Sequence, residues 1–258
     1  MARIVIDAGH GGAEPGAVYN GRKEKDDTLA LALKIGEILT ANGVDVVYTR
    51  TEDFYQTPFQ KATIGNQEEG DIFLSIHRNS SPMPNQYSGA ETLVYENSGI
   101  KRELGENINS ELEKAGFRNL GIKERPDLVV LKRTRMPAVL VEAGFINTDA
   151  DNRTFDENFE ETAAAVANGV LMTLRDNGML DGTNQNGQYA VQTGAFRNKS
   201  NAEKMVQRLV ADGFSPYLDE REGLFRVLNG QFSTVDEAAS LEQKLRRAGY
   251  ATVIVSRS

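Results

Sequence analysis

Three short runs constrain this chain most. RIVIDA (residues 3–8), DIFLSI (71–76) and PAVLVEAGF (137–145) are apolar at neighbouring positions rather than alternate ones. A strand with that pattern is covered on both faces, which is the environment of a parallel sheet between helices. The intervening segments agree. EKDDTLALALKIGEILTANG (24–43) has a helical period and stops at Asn42-Gly43, a common helix terminator. TPFQKATIGNQEEG (57–70), residues 98–116 and residues 157–176 also read as helices, and VDVVYT, AETLVYE and DLVVLK read as further strands. Strands alternating with helices predict an α/β fold with a twisted, mostly parallel sheet flanked by helices.

The pattern changes at GMLDGTNQNGQ (178–188), a polar, Gly- and Asn-rich stretch that reads as a linker. A repeat follows. YAVQTGAF from 189 and FRVLNGQF from 225 align at an offset of 36, which pairs Gly194 with Gly230, Phe196 with Phe232, Ala202 with Ala238 and Leu209 with Leu245. Each half reads strand, helix, strand. Two such halves predict a small ferredoxin-like βαββαβ α+β domain. The expected division is a domain over 1–180, a linker over 181–187 and a second domain over 188–258.

Composition excludes several classes. The chain carries a net charge of −8, and residues 188–258 hold 10 Lys+Arg against 8 Asp+Glu while the remainder holds 19 against 29. An acidic chain without a basic stripe argues against nucleic acid. No apolar run is long enough for a membrane span. The absence of cysteine rules out disulfides and thiolate metal sites. The opening MARIVIDAGH lacks the zones of a secretory signal. The expectation is a protein made in the cytoplasm that reaches its target after lysis or by another route.

The chain has only two histidines, and each directly follows an apolar run: His10 in IDAGHGG and His77 in IFLSIHRNS. Ligand sites of α/β sheets lie beyond the carboxyl ends of strands. Glu142 ends a third apolar strand, and Glu24 opens the first long helix one short loop after His10. Two histidines, one carboxylate and an open position make a catalytic zinc set, and a further carboxylate supplies a general base. The residues alone leave open which carboxylate is which. A phosphate-binding reading of GHGGAE fails, because Glu14 stands where G-x-G-x-x-G requires glycine.

IDAGHGGAEPGA, then Glu24, then LSIHRNS, then VEAGFINT resemble, in order, the motifs of the zinc-dependent N-acetylmuramoyl-L-alanine amidases of bacteria and phages. That resemblance implies Zn²⁺ bound by His10, Glu24 and His77, with Glu142 as catalytic acid/base. It gives no role to Glu14, and the presence of Lys61 where relatives often carry arginine is expected to matter little to the site. The C-terminal repeat resembles a SPOR domain, a module that binds peptidoglycan and favours glycan strands stripped of peptides. Gln192 matches a position associated with that binding, while Leu228 and Asn229 depart from the usual pattern. Core packing is the expected role for at least half of Tyr189, Phe196, Phe225 and Phe232. The implied partners are the glycan strands and stem peptides of peptidoglycan, and the expected state is a monomer. The alternatives are a zinc peptidase cutting within the stem and a non-catalytic wall-binding protein.

Overall fold

The computed structural model describes residues 2–180, 189–221, 223–232 and 235–256. The expected linker, 181–187, lies outside the described residues. Contacts divide the chain into two units at Asp181/Gly182.

The first unit runs β1 (Arg3–Ala8), β2 (Val18–Tyr19), β3 (Arg22–Lys23), α1 (Glu24–Ala41), β4 (Asp45–Tyr48), α2 (Pro58–Gln67), β5 (Ile72–Asn79), β6 (Ala90–Val94), α3 (Gly99–Lys114), β7 (Asn119–Glu124), α4 (Val129–Arg133), β8 (Ala138–Phe145), α5 (Asp149–Glu157) and α6 (Phe159–Asp176). Its six-stranded sheet has the order β4-β1-β5-β8-β6-β7. The pairs β1–β4, β1–β5, β5–β8 and β6–β7 are parallel, and β6 runs antiparallel to β8.

The doubly apolar strands feed two cores. Ile4 and Ile6, Ile72, Leu74 and Ile76, and Val139 and Val141 join Leu31, Leu104, Ile108, Val166 and Val170 of α1, α3 and α6. The alternate residues Val5, Phe73 and Leu140 join Val130 and Leu131 of α4 on the other face. Successive strand residues point to opposite faces, so each run needed apolar residues at every position. Met179 and Leu180 close the larger core.

Three local expectations differ from the structure. DLVVLK is not a strand: residues 129–133 form α4 after the Pro126-Asp127 turn, burying Val130 and Leu131 side by side. A short apolar run has no period that separates strand from buried helix. The strand in that region is β7, unexpected because Gly121 interrupts it at φ 78° and half its residues are exposed. Such a pattern is tolerated at a sheet edge. Before α6, the additional helix α5 covers Asp149–Glu157.

The second unit runs β9 (Tyr189–Phe196), α7 (Lys199–Ala211), β10 (Pro216–Arg221), β11 (Leu224–Phe232), α8 (Val235–Arg247) and β12 (Val253–Ser256), with sheet order β10-β11-β9-β12. This is the βαββαβ unit expected from the repeat. Ala202, Leu209, Ala238 and Leu245 are fully buried in its core. The paired Gly-x-Phe elements have one cause. A Cβ on Gly194 would stand 2.6 Å from the Phe196 ring, and one on Gly230 2.3 Å from the Phe232 ring. In each half the phenylalanine covers the glycine two residues before it. Tyr189, Phe196, Phe225 and Phe232 all pack against the core.

Candidate active site

The carboxyl ends of β1, β5 and β8 lie together, and antiparallel β6 brings Glu91 to the same edge as Glu142, its register partner. Asp7, Ser75, His77, Glu91 and Glu142 lie at even spacing from Val5, Phe73, Leu93 and Leu140, so they share the face of α2 and α4. Cover there is short: α2 has 10 residues and α4 has 5, against 18 each for α1 and α6. The strand ends on that face are left open as a crevice.

Past β1 the chain turns through Gly9–Gly12, and His10 takes φ 61°, a left-handed conformation uncommon for a residue with a Cβ. Two glycines make room for the rings. A Cβ on Gly9 would stand 2.5 Å from the His77 ring. One on Gly16, itself at φ 68°, would stand 2.6 Å from His10 Cδ2 and 2.7 Å from Glu24 Oε2.

Glu24, the first residue of α1, is the meeting point. Its Oε1 lies 2.9 Å from His77 Nδ1 and 3.0 Å from His10 Nε2, and accepts from Arg78 N–H at 3.1 Å. Its Oε2 accepts from Ala17 N–H at 3.0 Å. The ligand atoms of His10, Glu24 and His77 all lie within 4.8 Å of one another, an arrangement that can hold a metal ion. Burial opposes charge on Glu24, but hydrogen bonds from His10 and His77 outweigh it and hold the carboxyl well below the usual range. Burial likewise pulls His10 down, and its bonds to Glu24 and Glu14 overcome this, lifting it to about 9.

Glu142 stands apart from that cluster. It pairs in register with His77 on one side and Glu91 on the other. Its Oε2 is buried and has no hydrogen-bond partner among the described residues. Burial pushes its carboxyl up to about 7; His77 opposes this, Glu24 and Glu91 add to it, and His10 opposes it more weakly. A carboxyl raised to about 7, with one oxygen free of partners and a register neighbour in a group that could hold a metal, is suited to exchanging protons.

Comparison with known proteins decides the family. The sequence profile of N-acetylmuramoyl-L-alanine amidases matches residues 4–172. The chain belongs to the N-acetylmuramoyl-L-alanine amidase family. A SPOR domain profile matches residues 185–256 of the amidase. The sporulation-specific N-acetylmuramoyl-L-alanine amidase of Bacillus subtilis is 37% identical over 220 residues, 83% of each chain. The endolysin of Bacillus phage SPP1 is 36% identical over 185 residues, 67% of each. The crystal structure of the N-acetylmuramoyl-L-alanine amidase from Clostridium difficile 630 superposes with a TM-score of 0.65 at 30% identity, over 69% of this chain and 98% of that one.

Three residues around this cluster drew no role from the sequence. Glu14 Oε2 contacts His10 Nδ1, leaving Nε2 facing Glu24. Such an outer carboxylate fixes the tautomer and orientation of a ligating histidine. Lys61 Nζ donates to the fully buried Asp7 at 2.7 Å and to the Ala8 carbonyl at 2.5 Å, clamping the end of β1 just before His10. Glu91 is buried beside Glu142, accepts from Asn79 Nδ2 at 2.7 Å and pairs with Lys123 at 2.5 Å. Glu91 carried no readable signal, because AETLVYE looks like any half-buried strand.

In the SPOR unit, Gln192 lies in one cross-strand row with Leu228 and Val253. The adjacent row, Val191 and Ile254, packs under the helices, so Gln192 occupies the opposite face. Asn229 turns inward: it is buried and donates to Thr193 Oγ1 at 3.1 Å and to the Val191 carbonyl at 3.3 Å. The departure there from the usual pattern is a core feature.

Proposed function

We propose that His10, Glu24 and His77 hold a zinc ion, and that Glu142 moves the proton in hydrolysis of the amide joining the lactyl group of N-acetylmuramic acid to L-alanine. The observation carrying this reading is the convergence of three donor atoms on one point, with the unpartnered Glu142 Oε2 beside them. Two imidazoles and one carboxylate, without thiolate, are a donor set suited to zinc. When bound there, zinc supplies Lewis-acid polarisation of the carbonyl and a lowered pKa for water. Glu142 Oε2 takes a proton as water adds to the lactyl carbonyl carbon. As the C–N bond breaks, the same oxygen returns the proton to the departing α-amine of L-alanine, and the lactyl group leaves as the carboxylate. Glu14 keeps His10 in the ligating orientation.

The same reading divides the work along the chain. Residues 1–180 form the catalytic domain, 181–187 the linker and 188–258 the wall-binding domain, with Gln192 contacting glycan. The protein acts on the cell wall as a monomer. No described helix is long and apolar enough to cross a membrane.

Product analysis tests this against the peptidase alternative. Zinc-loaded full-length protein is incubated with purified walls. New amino groups should all belong to L-alanine, with the glycan intact. New amino groups on residues further along the stem would assign the protein to the peptidases instead.

A further inference from the structure

A cavity of about 680 Å³ lies on the β6–β7 side of Glu142, lined by none of His10, Glu24, His77 or Glu142 itself. Its lining includes Glu91, the register neighbour of Glu142, and Asn79, two residues past His77. From there it extends over β7 to Arg118 and Lys123. Its other wall, residues 80–88, is tied down by the segment leading into α5. Asn147 exchanges hydrogen bonds with Ser81, Thr148 Oγ1 donates to the Tyr87 carbonyl, and buried Asp151 accepts from Ser88 Oγ and Gly89 N–H. The cavity is therefore preformed and rich in hydrogen-bonding groups.

Its charge runs against that of the unit around it, which is strongly acidic. The lining holds one carboxylate, Glu91, and two cations, Arg118 and Lys123. Lys123 is committed to Glu91. Arg118 has no ion pair or hydrogen bond from its side chain among the described residues, and it is exposed at the cavity wall. One guanidinium charge is left for a ligand. The cavity on the other flank, which His10 and His77 line, has an apolar wall of Leu128, Val129 and Val130 with Tyr55. A glycan strand is uncharged along its sugar rings and offers a free guanidinium hydrogen-bond acceptors but no counter-charge. A peptide carrying a carboxylate supplies one, and a planar guanidinium matches a carboxylate in two parallel hydrogen bonds.

We propose that the cavity between β7 and residues 80–88 seats the stem peptide, and that Arg118 recognises a free carboxylate on the residue after L-alanine. This rests on the amidase reading and adds to it a direction and a charge preference. The muramoyl side of the scissile bond then lies on the flank of Tyr55 and Leu128.

The test uses zinc-loaded full-length protein and two synthetic N-acetylmuramoyl-L-alanyl peptides. In both, the next residue is a D-glutamate joined through its γ-carboxyl. Its α-carboxyl is free in one substrate and a primary amide in the other. Wild type should hydrolyse the free acid with kcat/KM about tenfold above the amide, the scale of one charge-assisted pair in a partly desolvated cavity. Arg118→Ala should bring that ratio to about one by raising KM for the acid more than for the amide. Matched circular dichroism and zinc content of the variant control for folding. Equal rates on both substrates in wild type, or an undiminished preference in Arg118→Ala, would overturn the proposal while leaving the amidase reading intact. Release of L-alanine's amino group from neither substrate by wild type would overturn both.

Discussion

At the scale of single residues, the site works by placing carboxylates in unequal environments. Glu24 is ionised by its two histidines, whereas burial holds Glu142 up to about 7. A carboxyl raised in this way binds its proton more tightly folded than unfolded. Stability is therefore lost as pH rises from the ordinary 4.5 through 7, and the cost is complete above that. Glu142→Gln removes the titration. Metal-free Glu142→Gln should exceed wild type in stability at pH 8, by on the order of 1–3 kcal/mol, with the gap closing as pH falls below 5, as read by urea denaturation at each pH. A constant gap across that range would contradict the buried, unpartnered state of Glu142. Glu14 makes a separate prediction. With Glu14→Ala, His10 loses the partner of its Nδ1. Zinc affinity should fall roughly 10–100-fold in a competition titration against a chromophoric chelator. His10 and His77 were legible because each follows a clearly patterned strand, whereas Glu24, one of three acidic residues in the first turn of α1, was singled out by the motif order. Glu14, Lys61 and Glu91 act through folding of the chain onto itself, which no local pattern encodes.

At the scale of elements, the parallel strands were legible because burial on both faces demands apolar residues at consecutive positions. Where that demand relaxes, reading failed: β7 is a half-exposed edge, and α4 is too short to show a period. The strand that matters most is β1, which must deliver His10 in a left-handed conformation. Its end is pinned by Asp7, buried and bonded to Lys61 Nζ, Thr49 Oγ1 and Ser75 Oγ, each at 2.7 Å. Arg50 adds bonds to the Ala8 and Gly9 carbonyls at 3.1 and 2.8 Å. Lys61→Met leaves the Asp7 carboxylate buried without its cation. It should cost about 3–5 kcal/mol in chemical denaturation. The double variant with Asp7→Asn should recover much of that, because no unpaired charge remains. If Lys61→Met is neutral, the clamp on β1 is not what holds the loop.

At the scale of the whole molecule, the amidase joins a catalytic unit to a SPOR unit with its own core, and contacts fall into two sets at Asp181/Gly182. The repeat made the second unit legible, since Gly-x-Phe and the helix positions recur at one offset. A fragment ending at Asp181 should still cleave soluble muropeptides at the full-length rate and clear intact walls more slowly, because tethering no longer raises its local concentration. Gln192→Ala in the full chain should weaken sedimentation with glycan-rich walls and leave muropeptide turnover alone. Equal wall clearing by the full chain and by the fragment lacking residues 182–258 would contradict targeting. The central claim is the division of labour between Glu24 and Glu142, and one paired measurement addresses it most directly. Zinc content by mass spectrometry and release of L-alanine amino groups from walls are measured on full-length Glu24→Gln and Glu142→Gln at matched circular dichroism. Glu24→Gln should lose zinc and regain part of its activity in excess zinc. Glu142→Gln should keep near-stoichiometric zinc and lose turnover by a factor of about 10² to 10⁴ that excess zinc does not restore. Zinc lost from Glu142→Gln and kept in Glu24→Gln, or full activity in both, would contradict the account.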